Sequence, residues 1–339
     1  MTAAPLPSEL GVIDIGPLVE GTGGARAEHV ARAIDRACRS IGFFSIIGHG
    51  IDRGLRDRLD FAARQFFALD ATEKAAIAMD RGGPAWRGWF PVGGELTSGV
   101  PDRKEGIYFG SELGPGDHRV RSGLALHGPN QFPTRPEELR QAVLDYVEAL
   151  TALGHTLVGG MALALGLEEG WFARHLTADP VVLFRIFRYP PVAAKDEGSW
   201  GVAEHTDYGL LTILGQDATG GLQVRVGDDW IDVEPDPEAL VCNLGDMLER
   251  LTGGRYRSTP HRVRSPGKSA RLSFPFFFDP SWDAEVRPLP LAGIAAPAES
   301  NPRWDGHDVG AFEGTYGEYL LGKVTRVFPA LGEKLDPGT

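Results

Sequence analysis

Seven short runs between positions 181 and 278 constrain the fold most: 181–189, 202–206, 211–215, 222–226, 230–233, 240–243 and 271–278, each apolar or alternating and closed by Gly, Pro or Asp. Runs of this length and β-branched, aromatic content are strands rather than helices. Many short strands with turn signals at such spacing imply a barrel or two packed sheets with an open mouth. The expected class is therefore mainly β with flanking helices.

Upstream the pattern is helical. Val30, Ala33, Ile34 and Ala37 fall on one face of a helix over 25–40, followed by a short buried strand at 41–47. Further helices are expected at 54–68 and 71–79. A long one is expected over 136–167, with Gly154 and the Gly159-Gly160 pair as its weak points. The segment from Asn243 to Leu251 reads as a strand end turning into a short helix capped by Asp246. No internal repeat or low-complexity stretch is present, and the 45 Gly and 25 Pro are spread through loops.

Within the strand region, His205 and Asp207 form a His-x-Asp pair, and His261 lies 54 positions beyond the Asp. Residues i and i+2 of a strand point the same way, so His205 and Asp207 can reach one ion, with His261 arriving from another strand. Two imidazole nitrogens and one carboxylate on one face of a ferrous ion leave the opposite face for O2 and a bidentate organic ligand. Arg271-Leu-Ser273 follows ten positions later in an apolar run, Ala270 to Phe278. An arginine buried there needs an anion, and a ligand carboxylate would supply it through the planar guanidinium fork.

Beyond these residues the sequence resembles a known family over nearly its whole length, the isopenicillin N synthase-like iron(II)/2-oxoglutarate-dependent oxygenases. The resemblance rests on Val12-Ile-Asp-Ile-Gly16, Ile41-Gly-Phe-Phe-Ser45, Gly48-His-Gly50, Arg188-Tyr-Pro-Pro191, His205-Thr-Asp-Tyr-Gly209, Gly220-Gly-Leu-Gln-Val224, Asn243-Leu-Gly-Asp246, Ser258-Thr-Pro-His-Arg262 and Arg271-Leu-Ser-Phe274. It implies a double-stranded β-helix (jelly-roll) core with a helical N-terminal region. The division it implies is a helix-rich part over 1–130, a supporting helix within 131–180, the catalytic core over 181–290 and a C-terminal segment over 291–339 that closes the pocket. It also implies Fe(2+) on His205, Asp207 and His261, and 2-oxoglutarate held at its distal carboxylate by Arg271, Ser273 and Tyr189. O2 would be the third reactant, and 2-oxoglutarate would be decarboxylated to succinate and CO2 as a C–H bond of the substrate is oxidised.

For the substrate, Gly88-Trp-Phe-Pro91 before Glu95-Leu-Thr97, together with Tyr208, resembles the bacterial ethylene-forming and arginine or homoarginine hydroxylating branch, in which the matching Glu and Thr grip a guanidinium. Glu95 and Thr97 are the expected contacts in that reading; the same Gly-rich stretch also reads as an exposed turn. Phe278, with Phe276 and Leu222, is expected either as an apolar wall of the site or as ordinary core. The neighbouring Arg103-Lys104 reads as a solvated charged turn, and Arg303 and Lys323 are the nearest cations to Thr315-Tyr-Gly-Glu-Tyr319, a segment that loosely matches a pocket-closing element. Hydroxylation of a small polar molecule is the leading expectation. An oxidative cyclase, desaturase or isopenicillin N synthase-like oxidase of natural-product or antibiotic biosynthesis is the alternative, and a non-catalytic receptor on the same fold a third.

The net charge of −12 argues against nucleic acid or an anionic membrane surface as a partner. No run of about twenty apolar residues is built to span a membrane, and Met1 to Gly11 lacks a secretory pattern. Cys38 and Cys242 are too few for a disulfide framework and are expected as buried thiols, which suits a cytoplasmic chain. A monomer or weak homodimer is expected, with a small molecule as its partner.

Overall fold

A computed structural model of the chain describes residues 9–21, 23–97, 99–192, 200–265, 267–291 and 312–335. Fourteen strands are present among them: β1 (Val12–Asp14), β2 (Phe43–Ile47), β3 (Gly88–Phe90), β4 (Leu96–Thr97), β5 (Val100–Pro101), β6 (Glu105–Gly110), β7 (Pro180–Tyr189), β8 (Trp200–His205), β9 (Leu211–Gln216), β10 (Leu222–Val226), β11 (Asp229–Asp232), β12 (Leu240–Leu244), β13 (His261–Arg264) and β14 (Arg271–Ser281). Every strand expected between 181 and 278 is there, within two residues at most ends.

The strands form an eight-stranded sheet in the order β1-β2-β12-β9-β14-β7-β6-β3, a four-stranded sheet in the order β11-β10-β13-β8, and the β4-β5 ribbon. Every pairing is antiparallel except β1 with β2. The inner faces of the two larger sheets enclose one cavity, as expected of a jelly roll.

The period of two decides what each strand offers. In β7, Leu183, Arg185, Phe187 and Tyr189 face the cavity, whereas Phe184 and Ile186 are fully buried on the opposite face. In β14, Arg271, Ser273, Pro275, Phe277 and Asp279 face the cavity. Sheet residues facing away from it meet helices: the ring of Phe184 lies 5.2 Å from that of Tyr146.

Tyr146 belongs to the 27-residue helix Glu138–Ala164, which packs on the Gly24–Ser40 and Arg53–Phe67 helices and on the sheet. By length and composition this helix is apolar enough to cross a membrane, yet it is the core helix of the fold, with one whole face buried in protein. It runs unbroken through the three glycines expected to weaken it. Gly154 instead permits close approach, because a Cβ there would stand 2.5 Å from the Phe278 ring.

Three expectations are corrected. The helix expected over 71–79 stops at Ala75: the amides that follow tighten to i→i−3 bonds, Ile77 to Lys74 and Ala78 to Ala75 at 3.2 Å, and Ala78 then leaves the helical region (φ −57°, ψ 143°). The region before 131 is not simply helical, because β1, β2, β3 and β6 complete the large sheet, with β6 paired to β7. Gly245, not Asp246, caps the short helix Asp246–Leu251; the Asp246 side chain turns to the cavity wall and accepts a hydrogen bond from Ser258 Oγ at 2.8 Å. Cys38 and Cys242 are buried free thiols, as expected.

Candidate active site

His205 ends β8, Asp207 lies two residues on, and His261 opens β13 directly opposite His205 in the register. One ligand atom from each lies within 4.8 Å of the others. The two imidazole rings are 4.2 Å apart, and His261 Nε2 is 3.8 Å from Asp207 Oδ1.

Backbone carbonyls fix both imidazoles. His205 Nδ1 donates to the Ala203 carbonyl at 2.8 Å and His261 Nδ1 to the Thr259 carbonyl at 3.2 Å, so in each ring the lone pair sits on Nε2. On Asp207, Thr212 Oγ1 and Asn243 Nδ2 donate to Oδ2 at 2.5 and 2.6 Å, leaving Oδ1 toward the histidines. Burial lowers the pKa of His261 to about 4, with His205 adding to the effect, and burial likewise lowers that of His205. Burial acts to raise the pKa of Asp207, but the two histidines and the Thr212 and Asn243 donors outweigh it and hold the carboxyl ionised. Two neutral nitrogens and one carboxylate oxygen are the donor set that a ferrous ion takes, and the residues fit it.

The cavity around this triad measures about 630 Å³. Deep in it, Arg271 stands opposite Tyr189 in the β14–β7 register, its guanidinium 4.9 Å from the Tyr189 ring. The side chain is 1% exposed. Its Nε and Nη1 have no hydrogen-bond partner among the described residues, and Nη2 reaches only Gln216 at 3.5 Å. A buried guanidinium with open donors calls for an anion. Ser273, two residues on, shares its face, so the expected anchor of Arg271, Ser273 and Tyr189 is assembled on one wall.

On the substrate side the outcome is mixed. Glu95, Thr97 and Tyr208 all line the cavity, as expected. Thr97, however, donates to Asp102 Oδ2 at 2.8 Å rather than standing beside Glu95 as a second grip. Glu95 is buried although the turn before it is exposed at Pro91, Val92 and Gly94, so the exposed-turn reading holds for that stretch and fails for Glu95 itself. Phe278 is not a wall of the cavity: it points the other way, over Gly154 and 4.8 Å from the His155 ring, because the inward positions of β14 are the odd-numbered ones. Phe276 faces away likewise, Phe277 takes the place expected of them, and Leu222 does line the cavity.

Several cavity residues are not legible as such in the sequence. Lys104, expected in a solvated turn, is 2% exposed and paired with Glu95 and Asp102, whereas its neighbour Arg103 is exposed. Arg185 is held between the rings of Tyr108 and Phe277; a lone cation at an inward position of an apolar strand is the signal that could have found it. Lys323 and Arg326 reach the cavity from the helix Tyr316–Val327, which opens with a capping box between Thr315 and Glu318. Arg303 lies outside the described residues. Asp279 accepts from the Leu210 amide at 3.0 Å and from Tyr316 Oη at 2.6 Å, tying that helix to the turn after Asp207. Burial lifts its pKa to about 7.

Comparison with known proteins adds a family. Residues 10–135 match the model of the non-haem dioxygenase N-terminal region (named for morphine synthesis), and residues 179–280 match that of the 2OG-Fe(II) oxygenase superfamily. A Dictyostelium discoideum protein named as a probable iron/ascorbate oxidoreductase is 42% identical, covering 95% of this chain and 96% of its own. A homoarginine-6-hydroxylase of Arabidopsis thaliana is 37% identical over 96% of this chain and 91% of its own. Among solved structures, a full-length Neurospora crassa protein crystallised in complex with alpha-KG and thymine superposes with a TM-score of 0.79 at 24% identity, over 96% of this chain and 99% of that one, a likeness of fold.

Proposed function

The chain belongs to the 2OG-Fe(II) oxygenase superfamily, a non-haem enzyme family that uses Fe(II), 2-oxoglutarate and O2, and from that premise we propose that it hydroxylates an unactivated C–H bond of a small polar molecule. The observation that carries this reading is the joint placement, on one cavity, of the His205–Asp207–His261 donor set and the buried Arg271, whose Nε and Nη1 have no hydrogen-bond partner among the described residues. When bound, iron and 2-oxoglutarate would supply, with O2 as oxidant, oxidative decarboxylation to succinate and CO2, one oxygen atom of O2 entering succinate and the other the substrate.

The residues divide the remaining work. His205, Asp207 and His261 would hold iron, and Thr212 and Asn243 keep Asp207 oriented for it. Arg271 and the Ser273 and Tyr189 hydroxyls hold the distal carboxylate of 2-oxoglutarate. Leu96, Leu320, Val324 and Phe328 are apolar parts of the cavity lining and limit water at the site. Tyr208, next to the metal carboxylate, faces the substrate space.

Arginine and homoarginine are the first compounds to test. The relatives named as homoarginine-6-hydroxylases make a guanidino compound the first candidate to try in this cavity. Binding one at Glu95 would require that residue to exchange its present partner, Lys104.

The test is anaerobic difference spectroscopy with Fe(II) and 2-oxoglutarate, followed by succinate measurement with each compound in air. A visible metal-to-ligand charge-transfer band, and substrate-dependent succinate, are expected. Iron binding without the band, or succinate formation that no small polar compound stimulates, would count against the reading.

A further inference from the structure

We propose that Lys104 fills the cation position at Glu95 and thereby sets the substrate class: the site takes a molecule whose head group is a carboxylate facing Arg185, and disfavours a guanidinium. The inference rests on the hydroxylase reading of this cavity and narrows it.

The argument begins with the lysine. Lys104 Nζ lies 2.8 Å from Glu95 Oε2, contacts Asp102, and sits over the Phe187 ring at 4.6 Å from its centroid. Its side chain is 3% exposed and those of Glu95 and Asp102 are 7% and 2%. A substrate cation can reach Glu95 only by displacing an ammonium that is already desolvated and doubly paired, and the displaced charge would be left buried without a full set of partners. Tyr108 donates its hydroxyl to the other Glu95 oxygen, closing that approach as well. Thr97 is committed to Asp102. Glu95 is thus an ion-paired part of the wall, with Oε1 accepting from Tyr108 and Oε2 held by the Lys104 charge without a hydrogen bond among the described residues.

The open donors on this wall belong to Arg185. Its Nη1 is 3.6 Å from Glu95 Oε1, too long for a hydrogen bond of normal strength, and its Nε has no partner among the described residues. The guanidinium plane is fixed between Tyr108 and Phe277, at 4.2 and 4.7 Å from their ring centroids. A planar fork, pre-oriented by two rings and short of acceptors, suits a carboxylate. Within this cluster Lys104 and Arg185 together balance Glu95 and Asp102, Arg271 is reserved for the co-substrate and Lys323 stands 3.9 Å from Asp246 Oδ2, so Glu95 and Asp102 carry no net negative charge for an incoming guanidinium to meet.

The experiment titrates the anaerobic Fe(II)–2-oxoglutarate protein with hexanoate, which has a carboxylate and no guanidinium, and with agmatine, which has the reverse, following the charge-transfer band under saturating 2-oxoglutarate. With the wild-type chain, hexanoate is expected to shift the band and agmatine to bind at least tenfold more weakly. Arg185→Met should lose the hexanoate response, and Lys104→Met should gain agmatine binding by at least tenfold. The wild-type comparison stands by itself if either variant fails to fold. Agmatine binding to wild type as well as hexanoate does, abolished in Glu95→Gln, would overturn the proposal, as would an intact band that neither probe perturbs; both outcomes leave the hydroxylase reading standing. Absence of the band with 2-oxoglutarate alone would sink that reading and this one with it.

Discussion

Asn243 donates its side-chain amide to Oδ2 of Asp207 at 2.6 Å, and that bond determines which carboxylate oxygen faces the histidines. Thr212 donates to the same oxygen from β9. Asn243→Ala should therefore leave the triad in place but let the carboxylate rotate, weakening iron binding by roughly tenfold, the usual effect of losing such an outer partner. Asp207→Ala should abolish iron binding and turnover together. Competition against a chromophoric chelator measures both, and wild-type affinity in Asp207→Ala would remove the residue from the metal site.

Arg271 gives a second prediction with a different signature. Loss of its charge-assisted hydrogen bonds, worth roughly 1.5–3 kcal/mol, should raise the 2-oxoglutarate concentration needed for half-maximal rate by about ten- to a hundredfold in Arg271→Ala. Iron affinity should not change, since the guanidinium touches none of the three ligands. Equal KM values for 2-oxoglutarate in the two proteins would show that the co-substrate's distal carboxylate lies elsewhere.

How far the sequence can be read follows from which features are local. Strand periodicity and the His-x-Asp spacing are local, so β7 to β14 and the metal triad are legible residue by residue. The parity of a strand is local as well, yet its inward direction is not, and Phe278 falls on the outer face although Arg271 and Ser273 on the same strand already mark the odd positions as inward. Lys104 is hard to read for another reason. Two adjacent cations look like a solvated turn, and only the long-range arrival of Glu95 and Asp102 on one side and Phe187 beneath makes burial of one of them tolerable. The short strands β3 and β6 give little local signal because they gain stability from a sheet edge supplied by β7, far along the chain.

Gly154 tests a claim about packing against one about propensity. In an exposed helix interior, Gly→Ala adds about 1 kcal/mol of stability. Here the new methyl would meet the Phe278 ring at 2.5 Å, and overpacking of a well-filled core costs about 1–3 kcal/mol. Phe278 is itself fully buried, which leaves its ring little room to move. Gly154→Ala should thus lower the denaturation midpoint. A rise would mean that the helix and β14 separate more easily than this contact implies.

Asp279 should make stability depend on pH in a direction opposite to that of a salt-bridged carboxylate. Burial raises its pKa from an ordinary 3.8 to about 7, so between those values the folded chain holds a proton that the unfolded chain has released. Stability then falls as pH rises from about 4 to about 7 and levels off above, by an amount on the order of 4 kcal/mol at about 1.4 kcal/mol per unit. Asn can keep both contacts, its Oδ1 accepting from the Leu210 amide and its Nδ2 donating to Tyr316 Oη, without titrating. Asp279→Asn should accordingly gain on the wild type as pH increases across this window, and match it most closely near pH 4. Urea denaturation of both proteins at pH 5, 6, 7 and 8, with a chelator present to remove metal linkage, supplies the comparison. Parallel curves across the window would mean that Asp279 is ionised in the folded chain throughout, held so by Tyr316 and the Leu210 amide.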